Sequence, residues 1–256
     1  SQISEQEVKT EVSEWIEKNW DPKLTVADWW QLMADARLSH PMLPEEAGGR
    51  GWSRALNHTA LSVIADKNVL GPPTGLGMML AAPTISAHGT QEQIEEYIPK
   101  ILNGQHAWCQ LFSEPGAGSD FAGLACKAER DGDEWIVTGQ KVWTTLAHVS
   151  KWGMLVARTD PDQPKHKGMT YFLLDMESPG VEVRPLHQIT GEAEFNEVFF
   201  NDVRIPNDRV FGDVGAGWSA AVTTLMNERV ALGGGVPKKG VGPIRDLMQV
   251  WEEKKE

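Results

Sequence analysis

Cysteine is scarce in this chain. Two occur in 256 residues, Cys109 and Cys126, and they form neither a metal-ligand spacing nor a disulfide framework. So few thiols are the usage of a protein kept in a reducing cytoplasm. Seven histidines with no paired spacing offer no metal site. No basic run or basic-aromatic stripe occurs, and the net charge is −12, which excludes a nucleic-acid surface. No apolar stretch is long enough to span a membrane. The acidic, helical N-terminal segment has neither the signal nor the transit pattern, so the expected location is cytoplasmic.

What is present suffices for a sizeable core, since 41% of the residues are hydrophobic. Eleven are tryptophans, nearly all expected to serve packing. Residues 1–107 read as helical. Val8, Val12, Trp15 and Ile16 recur at helical spacing, as do Val26, Trp29, Trp30, Leu32 and Met33. A third apolar face runs from Leu56 to Leu70, closing at Gly71-Pro72-Pro73. The stretch from Gly75 to Leu80 suits close helix packing or the lining of an apolar ligand. Gln91 to Leu102 forms a short amphipathic helix that Asn103-Gly104 caps.

The period changes after Trp108. Asp131-Gly132-Asp133 joins two alternating runs into a β-hairpin. Further strands are expected at 152–158, 169–176, 181–184 and 197–200, separated by turn clusters such as Asp160-Pro161-Asp162-Gln163-Pro164. Helix returns near Gly217, with Trp218, Ala221, Val222, Leu225 and Met226 assigned to one face. Gly233-Gly234-Gly235-Val236-Pro237 interrupts it before another helix begins at Ile244. The triplet Gly212, Gly215, Gly217 is no dinucleotide fingerprint, because no parallel βαβ unit surrounds it.

The chemistry concentrates in Leu111-Phe112-Ser113-Glu114-Pro115-Gly116-Ala117-Gly118-Ser119-Asp120. Pro115, Gly116 and Gly118 exclude regular pairing there. The run offers two hydroxyls and several free backbone N–H groups in a small space, an apparatus for holding a polar planar ligand. Trp143-Thr144-Thr145 ends a strand with an aromatic beside two hydroxyls, suited to stacking on a ring while bonding its edge.

These two runs resemble the flavin-binding signature of the acyl-CoA dehydrogenases, Thr/Ser-Glu-Pro-x-x-Gly-Ser-Asp followed by Trp-x-Thr/Ser. Pro44-Glu45-Glu46-Ala47-Gly48-Gly49-Arg50-Gly51, the stretch from His88 to Gly104, Val203-Arg204-Ile205-Pro206 and Gly215-Ala216-Gly217-Trp218 continue the same order of motifs. The resemblance implies an α+β fold. Its parts are an N-terminal helical domain over 1–107, a middle β-barrel-like domain over 108–214, and the start of a C-terminal helical bundle over 215–256. It implies FAD as cofactor, an acyl-CoA thioester as substrate, an electron-transferring flavoprotein as electron acceptor, and a homo- or hetero-oligomer, a tetramer at full length. The glycine-interrupted helix resembles members that act in bacterial fatty-acid or steroid side-chain catabolism.

Residue by residue, the resemblance puts flavin contacts at Gln110, Phe112, Ser113, Gly118, Ser119, Trp143, Thr144 and Thr145. Ser113 and the neighbouring N–H groups would stabilise charge near the flavin N1 and C2 carbonyl. Thr145 would face N5, and Trp143 would cover a face of the ring. Ser119 and Arg229 are the implied substrate contacts. Each has a plainer reading: Ser113 bonding its own turn, Thr145 in a cross-strand pair, Trp143 in the core, Ser119 as a local cap, Arg229 in a surface ion pair. Leu146-Ala147-His148 departs from the small Asn-Gly turn of many members and bears on the acyl end or on oxygen access. The family's catalytic base is a glutamate in a C-terminal domain that these residues do not reach. A same-fold oxidase or monooxygenase, and a non-catalytic FAD- and CoA-binding subunit, are the other classes the motifs admit.

Overall fold

The computed structural model describes residues 3–233 and 243–255. Five helices come first: α1 (Glu5–Asn19), α2 (Val26–Asp35), α3 (Arg54–Asp66), α4 (Ala82–His88) and α5 (Gln91–Leu102). Ser4 and Thr90 begin α1 and α5 with capping boxes, each side chain accepting from an N–H three residues on. A π turn, Gly77–Ala81, leads into α4. Gly77, Met78 and Leu80 in it are buried, so this stretch packs.

α3 stops four residues before Leu70. Asn68 is left-handed at φ 53°, and the chain turns so that its carbonyls can serve α2. The Trp29 indole donates to the Leu70 carbonyl at 2.7 Å, and the Trp30 indole to that of Gly71 at 2.9 Å. These two indole hydrogen bonds thus outweigh one further helical turn. Val8, Val12, Ile16, Trp29, Met33 and Ile64 form the core of this three-helix group.

Eight strands follow: β1 (Trp108–Leu111), β2 (Lys127–Asp131), β3 (Glu134–Thr145), β4 (Trp152–Arg158), β5 (Met169–Asp175), β6 (Val181–Leu186), β7 (Phe195–Pro206) and β8 (Val210–Phe211). They make one sheet in the order β6-β7-β3-β2-β4-β5-β8, with β1 parallel beside β4. The sheet folds over on itself. Leu155 and Phe172 of β4 and β5 share a core with Val137 of β3 and Val198 and Phe200 of β7. The opposite face of β4 and β5, with Met154, Val156, Tyr171 and Leu173, packs on α4 and α5. Both faces of these strands are covered, which is why they read as unbroken apolar runs.

The last described elements are α6 (Gly217–Gly233) and α7 (Pro243–Glu253). The residues expected on one face of α6 divide between two. Ala221 is buried, and Trp218 and Leu225 pack on the helix–sheet core. Val222 and Met226 are exposed, with Val230 continuing their stripe. Past Gly233, the expected glycine-rich interruption lies outside the described residues. Among the described residues no helix is long and apolar enough to cross a membrane.

Candidate functional site

The proline- and glycine-rich run leaves β1 at Leu111 and turns at once. Glu114 and Ala117 exchange N–H···O bonds of 2.9 and 3.1 Å, closing a tight loop. A Cβ on Gly116 or Gly118 would meet nothing within 4 Å, so the loop's outer side is open. The inner side is tied to β3. The Lys141 ammonium donates to the Phe112 carbonyl at 3.0 Å, and the Val142 N–H to the Ser113 carbonyl at 2.9 Å.

Lys141 is fully buried, and its counter-ion is buried beside it. Its ammonium lies 2.7 Å from the Glu114 carboxylate. That carboxylate also accepts the N–H groups of Ala125 and Cys126, at 2.6 and 3.0 Å. All three charged-group bonds converge on the loop, and removing one partner of such a pair costs about 3–5 kcal/mol. Neither residue was among the sequence-level candidates. The available signal was a lysine inside a strand that buries apolar neighbours, two residues before Trp143.

One extra residue is then inserted into β3. Lys141 faces Val198 while Thr144 faces Asn196, a bulge relative to β7. Trp143 sits in it at φ 59°, a conformation a tryptophan rarely adopts. The result is a ring 64% exposed, leaning edge-on against Phe195 with centroids 6.2 Å apart. Trp143 is therefore no core residue. A strained residue that presents a large aromatic to solvent is a mark of function more than of packing.

The other candidates are placed as follows. Ser113 is half-buried; among the described residues its hydroxyl and its N–H have no partner, and it does not bond its own turn. Phe112 is buried, stacked on Phe121 at 4.8 Å. Thr144 is buried, its carbonyl accepting from the Asn196 amide at 2.9 Å and its hydroxyl unpartnered among the described residues. Thr145 is half-buried beside Phe195. Gly118 and Ser119 are exposed, and Ser119 caps nothing. The carboxylate of the next residue, Asp120, pairs with Lys165 at 2.9 Å. Arg229 is exposed on α6 and pairs with no carboxylate among the described residues. Leu146 turns the chain at φ 55° and donates its N–H to the Glu194 carbonyl at 2.8 Å; His148 is exposed.

Gln110 meets a residue that sequence reasoning passed over. Its amide lies 3.5 Å from a carboxylate oxygen of Glu228 on α6. Glu228 is half-buried and has no cation beside it among the described residues. The helix carrying it is held by polar contacts: Thr224 bonds Thr84 at 3.1 Å and the Tyr171 hydroxyl at 3.2 Å, and His88 bonds Thr223 at 2.7 Å. Burial pushes the Tyr171 phenol well above its ordinary range. The two thiols nearby are inert for the same reason. Burial raises Cys109 to about 12 and Cys126 to about 11, with Lys141 pulling the latter back.

An outward loop with unpaired N–H groups, a free hydroxyl and an exposed indole one strand away fit a planar, hydrogen-bonding ring system such as a flavin. Trp143 and Thr145 would lie along it, and Ser113 with its loop N–H groups would meet its polar edge.

Two family descriptions match the chain in order: acyl-CoA dehydrogenase, N-terminal domain, over residues 1–105, and acyl-CoA dehydrogenase, middle domain, over residues 109–203. The acyl-CoA dehydrogenase FadE34 of Mycobacterium tuberculosis is 50% identical over 218 residues, 85% of this chain and 30% of that protein. The acyl-CoA dehydrogenase IpdE1 of the same organism is 46% identical over 201 residues, 78% of this chain and 52% of its own length. Among solved structures, the ChsE4-ChsE5 complex from Mycobacterium tuberculosis matches with a TM-score of 0.69 at 30% identity. It covers 90% of this chain and 62% of that one. The Tcur3481-Tcur3483 steroid ACAD matches with a TM-score of 0.71 at 26% identity, over 97% of this chain and 65% of that one. The chain spans from about a third to half of the length of these two curated relatives. With both domain types in order over most of its length, it belongs to the acyl-CoA dehydrogenase family.

Proposed function

We propose that the protein containing this chain is an FAD-dependent enzyme that introduces an α,β double bond into an acyl-CoA thioester. One observation carries the reading. The two halves of the flavin signature are tied together by Lys141 and Val142, which hold the carbonyls of Phe112 and Ser113 and leave a hydroxyl, an N–H and the Trp143 indole free. FAD, when bound, supplies the acceptor for the hydride that leaves the β-carbon. The chain's own part is to bind and polarise. Ser113 and the loop N–H groups would donate to the flavin edge that gains negative charge, as an oxyanion hole does. Thr145 would meet the N5 side, Trp143 would cover a ring face, and Gln110, Phe112, Gly118, Ser119 and Thr144 would complete the cofactor contacts. Ser119 and Arg229 take the substrate.

The α-proton needs a base. The resemblance puts it beyond residue 256, but the geometry favours a nearer one, Glu228. It is a half-buried carboxylate beside Gln110, on a helix anchored by Thr224 and Thr223, with no competing cation among the described residues. A general base at such a position is worth about 10²–10⁴-fold in rate. In the full-length protein, Glu228→Gln should retain flavin while flavin reduction by a thioester slows by that factor. Unchanged reduction in this variant would return the base to the C-terminal region.

Steroid side-chain thioesters are the favoured substrate class, because the similar Tcur3481-Tcur3483 protein is a steroid ACAD. Electrons pass to an electron-transferring flavoprotein in a cytoplasmic assembly of four subunits. A hetero-oligomer is favoured over a homo-oligomer because the ChsE4-ChsE5 match is itself a complex of two different chains. In such an assembly this chain could be the FAD-binding partner of a second chain, and the Glu228→Gln variant separates that role from a catalytic one.

A further inference from the structure

The fully buried Lys141 takes no part in the chemistry above, and a buried ammonium is costly unless something requires it. Its partners indicate what that is. Glu114 neutralises it at 2.7 Å, and the Phe112 carbonyl accepts from it at 3.0 Å. Glu114 is in turn fixed by two backbone N–H groups, of Ala125 and Cys126, so the pair cannot drift. The Phe112–Ser113 peptide is planar and trans, and its C=O and N–H point in opposite directions. Anchoring the carbonyl inward on Lys141 therefore turns the Ser113 N–H outward, where it has no acceptor among the described residues. The Val142 N–H fixes the following carbonyl in the same sense.

We infer that Lys141 and Glu114 form a positioning pair that presets the Ser113 N–H as a donor to the bound flavin. The pair touches neither cofactor nor substrate; it acts through the Phe112–Ser113 peptide. The inference rests on the flavin reading of the site.

The test uses the full-length protein and the double variant Lys141→Met/Glu114→Gln, which removes both charges together and avoids leaving one buried alone. The folded variant should hold oxidised FAD about two- to tenfold less tightly, the worth of one donor to a neutral acceptor. Its flavin should also have a lower midpoint potential, because the reduced form, negatively charged at that edge, loses a stronger hydrogen bond than the oxidised form does. FAD affinity and potential unchanged in a folded variant would overturn the inference.

Amide exchange on wild-type protein stripped of FAD gives the same answer without substitution. The Val142 N–H should already be protected and the Ser113 N–H exposed to exchange, with FAD then protecting Ser113. Protection of Val142 that arises only when FAD is added would mean that the cofactor sets the loop, and would overturn the inference. Wild-type protein that takes up no FAD would instead sink the functional reading itself.

Discussion

Trp143 owes its exposure to one inserted residue, and Cys109 and Cys126 owe their inertness to burial. The thiol case is testable directly. Desolvation disfavours the thiolate, so both groups titrate above the ordinary 9.0, at about 12 and about 11. At neutral pH a thiol-specific disulfide reagent should react with neither cysteine of the folded protein and with both after unfolding. Fast reaction in the native state would contradict the burial. The linkage has a definite sign. The folded state keeps these protons where the unfolded chain loses them, so the stabilisation is complete below pH 9 and fades as pH rises through the folded values. Melting temperature should accordingly fall between pH 9 and pH 11, and a flat profile would count against it. At this scale the sequence was legible where a residue's chemistry is local. Ser113 and Trp143 stand out by their neighbours. Glu114, Lys141 and Glu228 do not, because their meaning comes from partners up to 118 residues away.

The hairpin of β2 and β3 depends on a close approach that only glycine allows. Gly139 has φ 152°, and a Cβ there would lie 2.8–2.9 Å from Cys126. The neighbouring register shift, Val137 facing Val203 and Gly139 facing Phe200, puts an extra residue on β7, ahead of the bulge that β3 makes at Trp143. Gly139→Ala should cost about 1–3 kcal/mol and weaken flavin retention along with stability. A variant that melts with the wild type would show that β2 yields without consequence. Elements with a strong period were readable in advance. α5 spans Gln91–Leu102 and ends where Asn103-Gly104 signals, and β4 spans 152–158 as expected. The misjudged elements lack local signals. α3 ends early because distant indoles claim the carbonyls of Leu70 and Gly71 beyond it, β1 hides in the approach to the signature loop, and β7 runs to Pro206 through polar residues that a hydrophobic pattern does not mark.

Across the whole molecule, α4 and α5 share a core with one face of β4 and β5, while α6 and α7 carry exposed apolar residues. Val222, Met226 and Val230 form an exposed stripe on α6, and Ile244, Leu247, Met248 and Trp251 are exposed on α7. Apolar faces of this kind mark contact sites, and the relatives are longer proteins. The 256-residue chain by itself should therefore self-associate at micromolar concentration. Val222→Glu/Met226→Glu should shift it toward the monomer in sedimentation velocity, whereas a monomeric parent chain would argue that these faces are tolerated in water. The family's architecture was readable from the order of motifs. The division of α6 into a packed and an exposed face was not, since helical spacing alone does not say which side meets the sheet. The most direct test of the central claim is an anaerobic titration of the full-length protein with acyl-CoA thioesters, steroid side-chain thioesters among them, followed at the visible flavin band. The account expects bound FAD that a thioester bleaches. FAD that no thioester reduces, or protein that binds no FAD, would contradict it.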